Sequence, residues 1–187
     1  MIIFTADHGE ALGEKNYYFC HGETLHQSQL HVPLIIKHGS DFVGQKTEIA
    51  QHVDLVPTIL KYIGDQPQNN YRGHDLFAPL PASREVFAEL KTPTKENALV
   101  SSLLIDNKKL IHTPSQKLFE LYDLSQDPGE LNNLVGNATF TAQQSDLQAR
   151  LLRISREDFL ALNVKSHEPY NMSEEDMNKL KSLGYIW

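Results

Sequence analysis

The chain has 187 residues, 40% of them apolar, with 24 acidic against 17 basic side chains and a net charge of −7. That suffices for the core of one compact domain, or of one domain and a small appendage, burying roughly 70% of the surface the unfolded chain exposes. Dispersed lysines and arginines on an acidic chain argue against nucleic acid as a partner. No run reaches the roughly 18 to 20 apolar residues of a membrane span, and a single cysteine, Cys20, excludes an internal disulfide framework.

In chain order, Ile2-Ile3-Phe4-Thr5 reads as a fully buried strand whose neighbours should be parallel strands, most of them supplied by a larger α/β domain outside this sequence. It runs straight into Asp7-His8-Gly9-Glu10, which sets a carboxylate and an imidazole side by side where a strand ends. Such a pair presents hard metal ligands, and His21-Gly22-Glu23 offers a second imidazole from the same loop-rich stretch. The plainer readings are an Asx turn for Asp7 and His8 and an exposed loop position for His21. Val32-Pro33-Leu34-Ile35-Ile36-Lys37 is a second strand of the same sheet, with proline at its entrance. From Val53 to Gly64 the apolar spacing predicts a helix, with Asp54 as its N-cap, Pro57 in its first turn and Gly64 closing it.

The proline-, asparagine- and glycine-rich stretch 66–81 is the best internal boundary. Beyond it, runs at 85–90, 98–104, 109–112 and 118–124 are strand-like, with Asp106-Asn107 marking a hairpin. They predict a small antiparallel sheet. A polar helix over 141–162 is expected to cover one face of it through Leu147, Leu151, Ile154 and Leu162, and Ser173-Glu174-Glu175-Asp176 opens a short capped helix that ends before Gly184. Lys108-Lys109 reads as solvated surface.

Other polar residues read as structural. Glu10 and Glu14 suit loop carboxylates that support a site or cap a helix, and His52 and Asp54 suit a helix entrance. Asp123 and Asp127 belong to a turn before Pro128, and the Asn137-Ala138-Thr139 sequon matters only in a eukaryotic secretory setting. His26 is expected on a helix surface. Its spacing of five from both His21 and His31 rotates about 140° per step, which argues against a histidine metal array.

Several blocks taken in order resemble the C-terminal part of a sulfatase, in the alkaline-phosphatase superfamily of metal-dependent sulfate and phosphate ester hydrolases. They are Phe4-Thr5-Ala6-Asp7-His8-Gly9-Glu10, Leu12-Gly13-Glu14, His21-Gly22, His31-Val32-Pro33-Leu34-Ile35-Ile36, Val53-Asp54-Leu55-Val56-Pro57-Thr58-Ile59-Leu60, Leu121-Tyr122-Asp123-Leu124 with Asp127-Pro128 and Asn132-Asn133-Leu134, and Leu180-Lys181-Ser182-Leu183-Gly184-Tyr185-Ile186. The family commonly carries an aromatic and an acidic residue after the second histidine and an arginine before Val-Pro. This chain has His26, Gln27, Ser28 and His31 there.

The resemblance implies an α/β fold: residues 1–65 as the edge of an alkaline-phosphatase-like sheet, 66–81 as a linker, and 82–187 as a small antiparallel sheet packed with a helix, α+β in character. It puts Asp7 and His8 at metal-ligand positions for a divalent cation, calcium in most sulfatases, with manganese or zinc in relatives. It puts His21 where a group holds the substrate anion or the leaving-group oxygen, a role open to histidine with its reference pKa near 6.5. The family nucleophile, a formylglycine made from Cys or Ser in Cys/Ser-x-Pro-x-Arg, has no counterpart here, since Cys20 is followed by His21, Gly22, Glu23 and Thr24. The chain is therefore expected to be a half-site without turnover, its parent acting on a sulfate ester. A phosphotransferase of the same superfamily, of the phosphoethanolamine-transferase or phosphodiesterase kind, is the near variant, and a noncatalytic interaction module the distant one. An open sheet edge would favour self-association. Localisation is left open among periplasmic, secreted and cytoplasmic.

Overall fold

The computed structural model describes residues 1–39, 44–67, 71–91 and 99–163, together with 173, 174, 177 and 178. The chain divides into two compact units, 1–151 and 152–187.

In the first unit, β1 (Ile2–Thr5) pairs with β4 (Leu34–Lys37), with Ile3 opposite Ile36 and Phe4 opposite Ile35. One sheet holds both apolar runs, but the pairing is antiparallel, not parallel as the sequence suggested. The intervening chain explains this. It leaves β1 at Thr5, forms a short hairpin of β2 (Ala11–Leu12) and β3 (Tyr18–Cys20), then a one-turn helix α1 (Gln27–Leu30), and α1 is tied back to the exit of β1 by a Gly9 N–H to Gln29 carbonyl bond of 2.8 Å. The chain thus re-enters the sheet at the end where it left, which allows only an antiparallel return. Nor is β1 buried on both faces: Ile2 and Phe4 are 66% and 60% exposed, and Ile35, across the ribbon from Phe4, is 62% exposed.

Helix α2 (Leu55–Tyr62) follows a 3-10 turn at His52–Asp54. Its C-terminus is as expected: Gly64 has φ +81°, Asp65 N–H reaches Leu60 carbonyl at 2.8 Å and Gly64 N–H reaches Lys61 carbonyl at 3.2 Å. The N-terminus is not. Asp54 does not cap with its side chain; Gln51 is the N-cap of the 3-10 turn, and Asp54 sits three residues on in a capping box, its Oδ2 accepting Gln51 N–H at 2.8 Å. The fully buried Asp54 carboxylate also accepts His74 N–H at 2.8 Å and both terminal nitrogens of Arg84, at 2.8 and 3.0 Å. Burial alone would push this carboxyl up; the Arg84 fork and the two N–H donors outweigh it and hold it below the usual carboxylate range. Downstream chain is fastened to the same helix, as Leu76 N–H bonds Thr58 Oγ1 at 3.0 Å and a Cβ on Gly73 would lie 1.9 Å from the Val53 carbonyl oxygen.

Strands β5 (Val86–Lys91), β6 (Leu99–Ile105), β7 (Lys108–Thr113) and β8 (Leu118–Asp123) form the expected antiparallel meander in the order β5-β6-β7-β8. Asp106 and Asn107, with φ of +47° and +64°, make the two-residue turn between β6 and β7. The core here is Leu103, Leu110, Ile111, Leu121 and Tyr122, each almost fully buried.

Lys109 departs from the sequence reading, being 1% exposed. Strand alternation turns Lys108 to the edge, where it pairs with Asp123 at 2.9 Å, and sends Lys109 inward to Glu130 at 2.7 Å, itself 2% exposed. Burial pulls the Lys109 ammonium below its ordinary value, and the Glu130 charge opposes that.

Helix α3 (Thr141–Asn163) carries Leu147, Leu151 and Ile154 as buried residues, and Arg150 ties it to Glu85 beside β5 at 3.1 Å. The side chain of Leu162, in the expected stripe, lies outside the described residues, as does most of the expected helix from Ser173 to Leu183.

Candidate functional site

The loop leaving β1 and the loop leaving β3 meet. The His8 and His21 rings stack with centroids 4.2 Å apart and planes at 21°. Asp7 Oδ1 accepts His8 N–H at 3.1 Å, an Asx-type contact, while its Oδ2 lies 3.8 Å from His8 Nε2. His8 Nδ1 is 2.9 Å from the Gly9 carbonyl oxygen. A carbonyl only accepts, so Nδ1 carries the proton and the lone pair of Nε2 stands on the side of the Asp7 carboxylate. Likewise His21 Nδ1 donates to Glu10 Oε2 at 3.0 Å, which leaves Nε2 as the other end of that ring. All four side chains stay accessible, from 40% for His8 and Glu10 to 73% for Asp7.

As a ligand set, one carboxylate and one oriented imidazole nitrogen suit a hard divalent cation, and the carbonyl behind His8 is the outer-shell partner such ligands ordinarily have. Among the described residues no group of three or more His, Cys, Asp or Glu is arranged to hold a metal. Asp7 and His8 therefore make a partial set.

The loops keep this shape because a buried residue lies under both. Gln29, 3% exposed, accepts Gly9 N–H with its main-chain carbonyl at 2.8 Å and Gly22 N–H with its side-chain Oε1 at 3.0 Å. Gly9 must be glycine for this approach, since a Cβ there would lie 2.2 Å from the Ser28 carbonyl oxygen.

Helix α1, which carries Gln29, is in turn gripped by the four-stranded sheet. Gln27 N–H donates to Glu130 Oε2 at 2.7 Å, and Lys109 Nζ donates to Gln27 Oε1 at 3.2 Å. His26, expected on a helix surface, is instead the buried residue that starts α1, with Nδ1 against Thr24 Oγ1 and Nε2 3.6 Å from Glu120. The neighbouring His26 ring holds the Glu120 carboxyl below the usual range, while burial first and then Glu120 push the Tyr122 hydroxyl well up. Tyr122 donates to Glu120 at 2.6 Å and receives Lys15 at 3.1 Å.

The sequence names Asp7 and His8 as metal ligands and His21 as the anion-holding residue, with Glu10 a loop carboxylate that supports a site or caps a helix; the structure brings these four side chains together. His31 stays apart from the cluster as the C-cap of α1. Gln29, Glu130 and Lys109 were missed as supports. The one local signal was Gly9, a glycine directly after the Asp-His pair, which announces a close backbone approach without naming the residue approached.

The sulfatase family model matches residues 1–64, the span that holds β1, both site loops, α1, β4 and α2. Arylsulfatase K of Xenopus laevis is 28% identical over 80% of this chain and 30% of its own length. Residues 1–64 thus match the sulfatase family, and the chain is similar to sulfatases of the alkaline-phosphatase superfamily. The multifunctional alkaline phosphatase superfamily protein PehA of Trinickia caryophylli is 27% identical over 89% of this chain and 36% of its own. A protein solved in complex with its substrate D-glucosamine-2-N,6-O-disulfate has the same fold over 82% of this chain and 33% of its own, with TM-score 0.70 and 24% identity. The chain thus spans about a third of the length of the relatives it matches. Its mixed α/β structure of small antiparallel sheets with helices covers part of the sulfatase fold.

Proposed function

We propose that this chain is the C-terminal portion of a metal-dependent sulfuric ester hydrolase and supplies one wall of its cation and anion site. Asp7 and His8 would hold a divalent cation, calcium by resemblance to the family, with manganese or zinc as substitutes. When bound, such an ion supplies Lewis-acid polarisation of the sulfuryl oxygens. The convergence that supports this reading is the His8 and His21 stack, which sets the second imidazole directly beside the proposed ligand pair.

The remaining work falls to His21 and Glu10. With Nδ1–H given to Glu10, the His21 ring, when it carries a second proton, presents Nε2–H either to a nonbridging oxygen of the ester or, at bond cleavage, to the departing alkoxide. Glu10 orients the ring and offsets its charge in both uses. Cys20 lacks the Pro and Arg of a formylglycine segment, so the nucleophile belongs to another part of the parent and the chain alone is without turnover. A sulfate ester is the substrate of the parent, and no part of this reading calls for nucleic acid.

The experiment is to add sulfate to the purified chain with the diamagnetic Ca2+ present and to follow the His21 ring protons by NMR, alongside an aryl sulfate assay. Sulfate is expected to shift the His21 signals, the shift to vanish in His21→Ala, and turnover to be absent. Hydrolysis of the aryl sulfate by the chain, or a His21 indifferent to sulfate, would contradict the reading.

A second reading keeps the site and changes the ester. The likeness to the phosphonate monoester hydrolase SpPMH from Silicibacter pomeroyi, 25% identical over 92% of this chain and 37% of its own with TM-score 0.61, supports a phosphonate ester hydrolase with the same residue roles. Phenylphosphonate displacing sulfate at His21 with clearly higher affinity would favour it.

A further inference from the structure

We propose that Gln29 is the positioning residue that holds the two histidines of the site in register. The inference rests on the site reading above for its purpose, and on three observations of its own. First, each histidine is followed by a glycine whose N–H is given to the same residue: Gly9, after His8, to the Gln29 carbonyl at 2.8 Å, and Gly22, after His21, to the Gln29 Oε1 at 3.0 Å. Second, among the described residues the carboxamide nitrogen of Gln29 is buried with no partner. An apolar side chain would fill this position without leaving a buried N–H2 unmatched, which ordinarily destabilises a fold. The carboxamide is therefore in place for its oxygen, and among the described residues that oxygen accepts from Gly22 N–H. Third, a Cβ on Gly22 would meet nothing within 4 Å, so no close backbone approach of the kind made by Gly9 holds the second loop at this point.

The consequence is a division of labour within one residue. The backbone of Gln29 fixes the Asp7 to Gly9 loop whatever its side chain, while the side chain fixes the His21 loop onto it. Gln29→Met keeps length and volume and removes the acceptor; Gln29→Glu keeps an acceptor at the same reach.

The test reads amide exchange at Gly9 and Gly22 and the ring-to-ring nuclear Overhauser effect between His8 and His21 in the full chain, without any metal. In Gln29→Met, Gly22 exchange is expected to rise about tenfold or more while Gly9 stays protected, and the Overhauser effect between the rings is expected to disappear; Gln29→Glu is expected to retain both. A merely structural role would loosen Gly9 and Gly22 together, and that result, or an undiminished Overhauser effect in Gln29→Met, would overturn the proposal. Because no metal or sulfate enters these readouts, a wild-type chain that fails to bind either leaves this test intact and counts only against the function proposed above.

Discussion

Glu130 binds the backbone of Gln27 and the ammonium of Lys109 at once, at 2.7 Å each, and so joins the four-stranded sheet to the helix beneath the site loops. The pair is about as buried as charges become, at 2% exposure for each side chain. Removing one partner strands the other. Lys109→Met is expected to cost about 3–5 kcal/mol, and Lys109→Met with Glu130→Gln much less than the sum of the two single changes. Urea unfolding of the three variants checks this, an additive cycle being the unfavourable result.

Arg84 and Asp54 form the other pair whose loss should be large. Arg84→Met leaves a carboxylate with no accessible surface facing only two N–H donors, and about 3–5 kcal/mol of stability is expected to go with it. A melting temperature within about two degrees of wild type would show that the pair contributes little.

The same carboxylate sets an acid limit. Its folded pKa lies below its unfolded value near 3.9, so its stabilising contribution is complete above the unfolded value and is lost as pH falls through the folded one. Asp54→Asn should therefore be clearly less stable than wild type at pH 7, and the gap should narrow steadily below about pH 4. Urea midpoints of both proteins at pH 7 and pH 3 measure it.

Gly9 and Gly39 make a matched contrast. An alanine at Gly9 puts a methyl 2.2 Å from the Ser28 carbonyl oxygen, whereas at Gly39 it meets nothing within 4 Å and only the φ of +60° resists. Gly9→Ala is expected to cost about 1–3 kcal/mol and to separate the site loops from α1. Gly39→Ala should cost about 1 kcal/mol and leave the His8 and His21 ring signals unmoved. Equal effects at both positions would refute the close approach at Gly9.

Much of this was legible in the residues. The period-two runs and the Asp106-Asn107 pair were enough for the meander, because a hairpin's signals are local. The last turn of α2 was equally local, since only glycine suits the +81° φ of Gly64. The orientation of β1 against β4 was not readable, because it depends on a bond between Gly9 and Gln29 that no periodicity encodes. Lys109 misled for the same reason: its partner Glu130 is distant in sequence, so a lysine pair in a strand looked like surface. In the site, adjacent residues such as Asp7 and His8 announced themselves, while Gln29 acts through space and its own sequence neighbours carry no trace of that.

Cation binding by the wild-type chain, compared with Asp7→Asn, His8→Ala and His21→Ala by Mn2+ titration, tests the central claim most directly. Weak binding is expected for wild type, at least about tenfold weaker binding for Asp7→Asn and His8→Ala, and little change for His21→Ala, whose task is the anion. Mn2+ held as tightly by the Asp7 and His8 variants as by wild type would contradict the account.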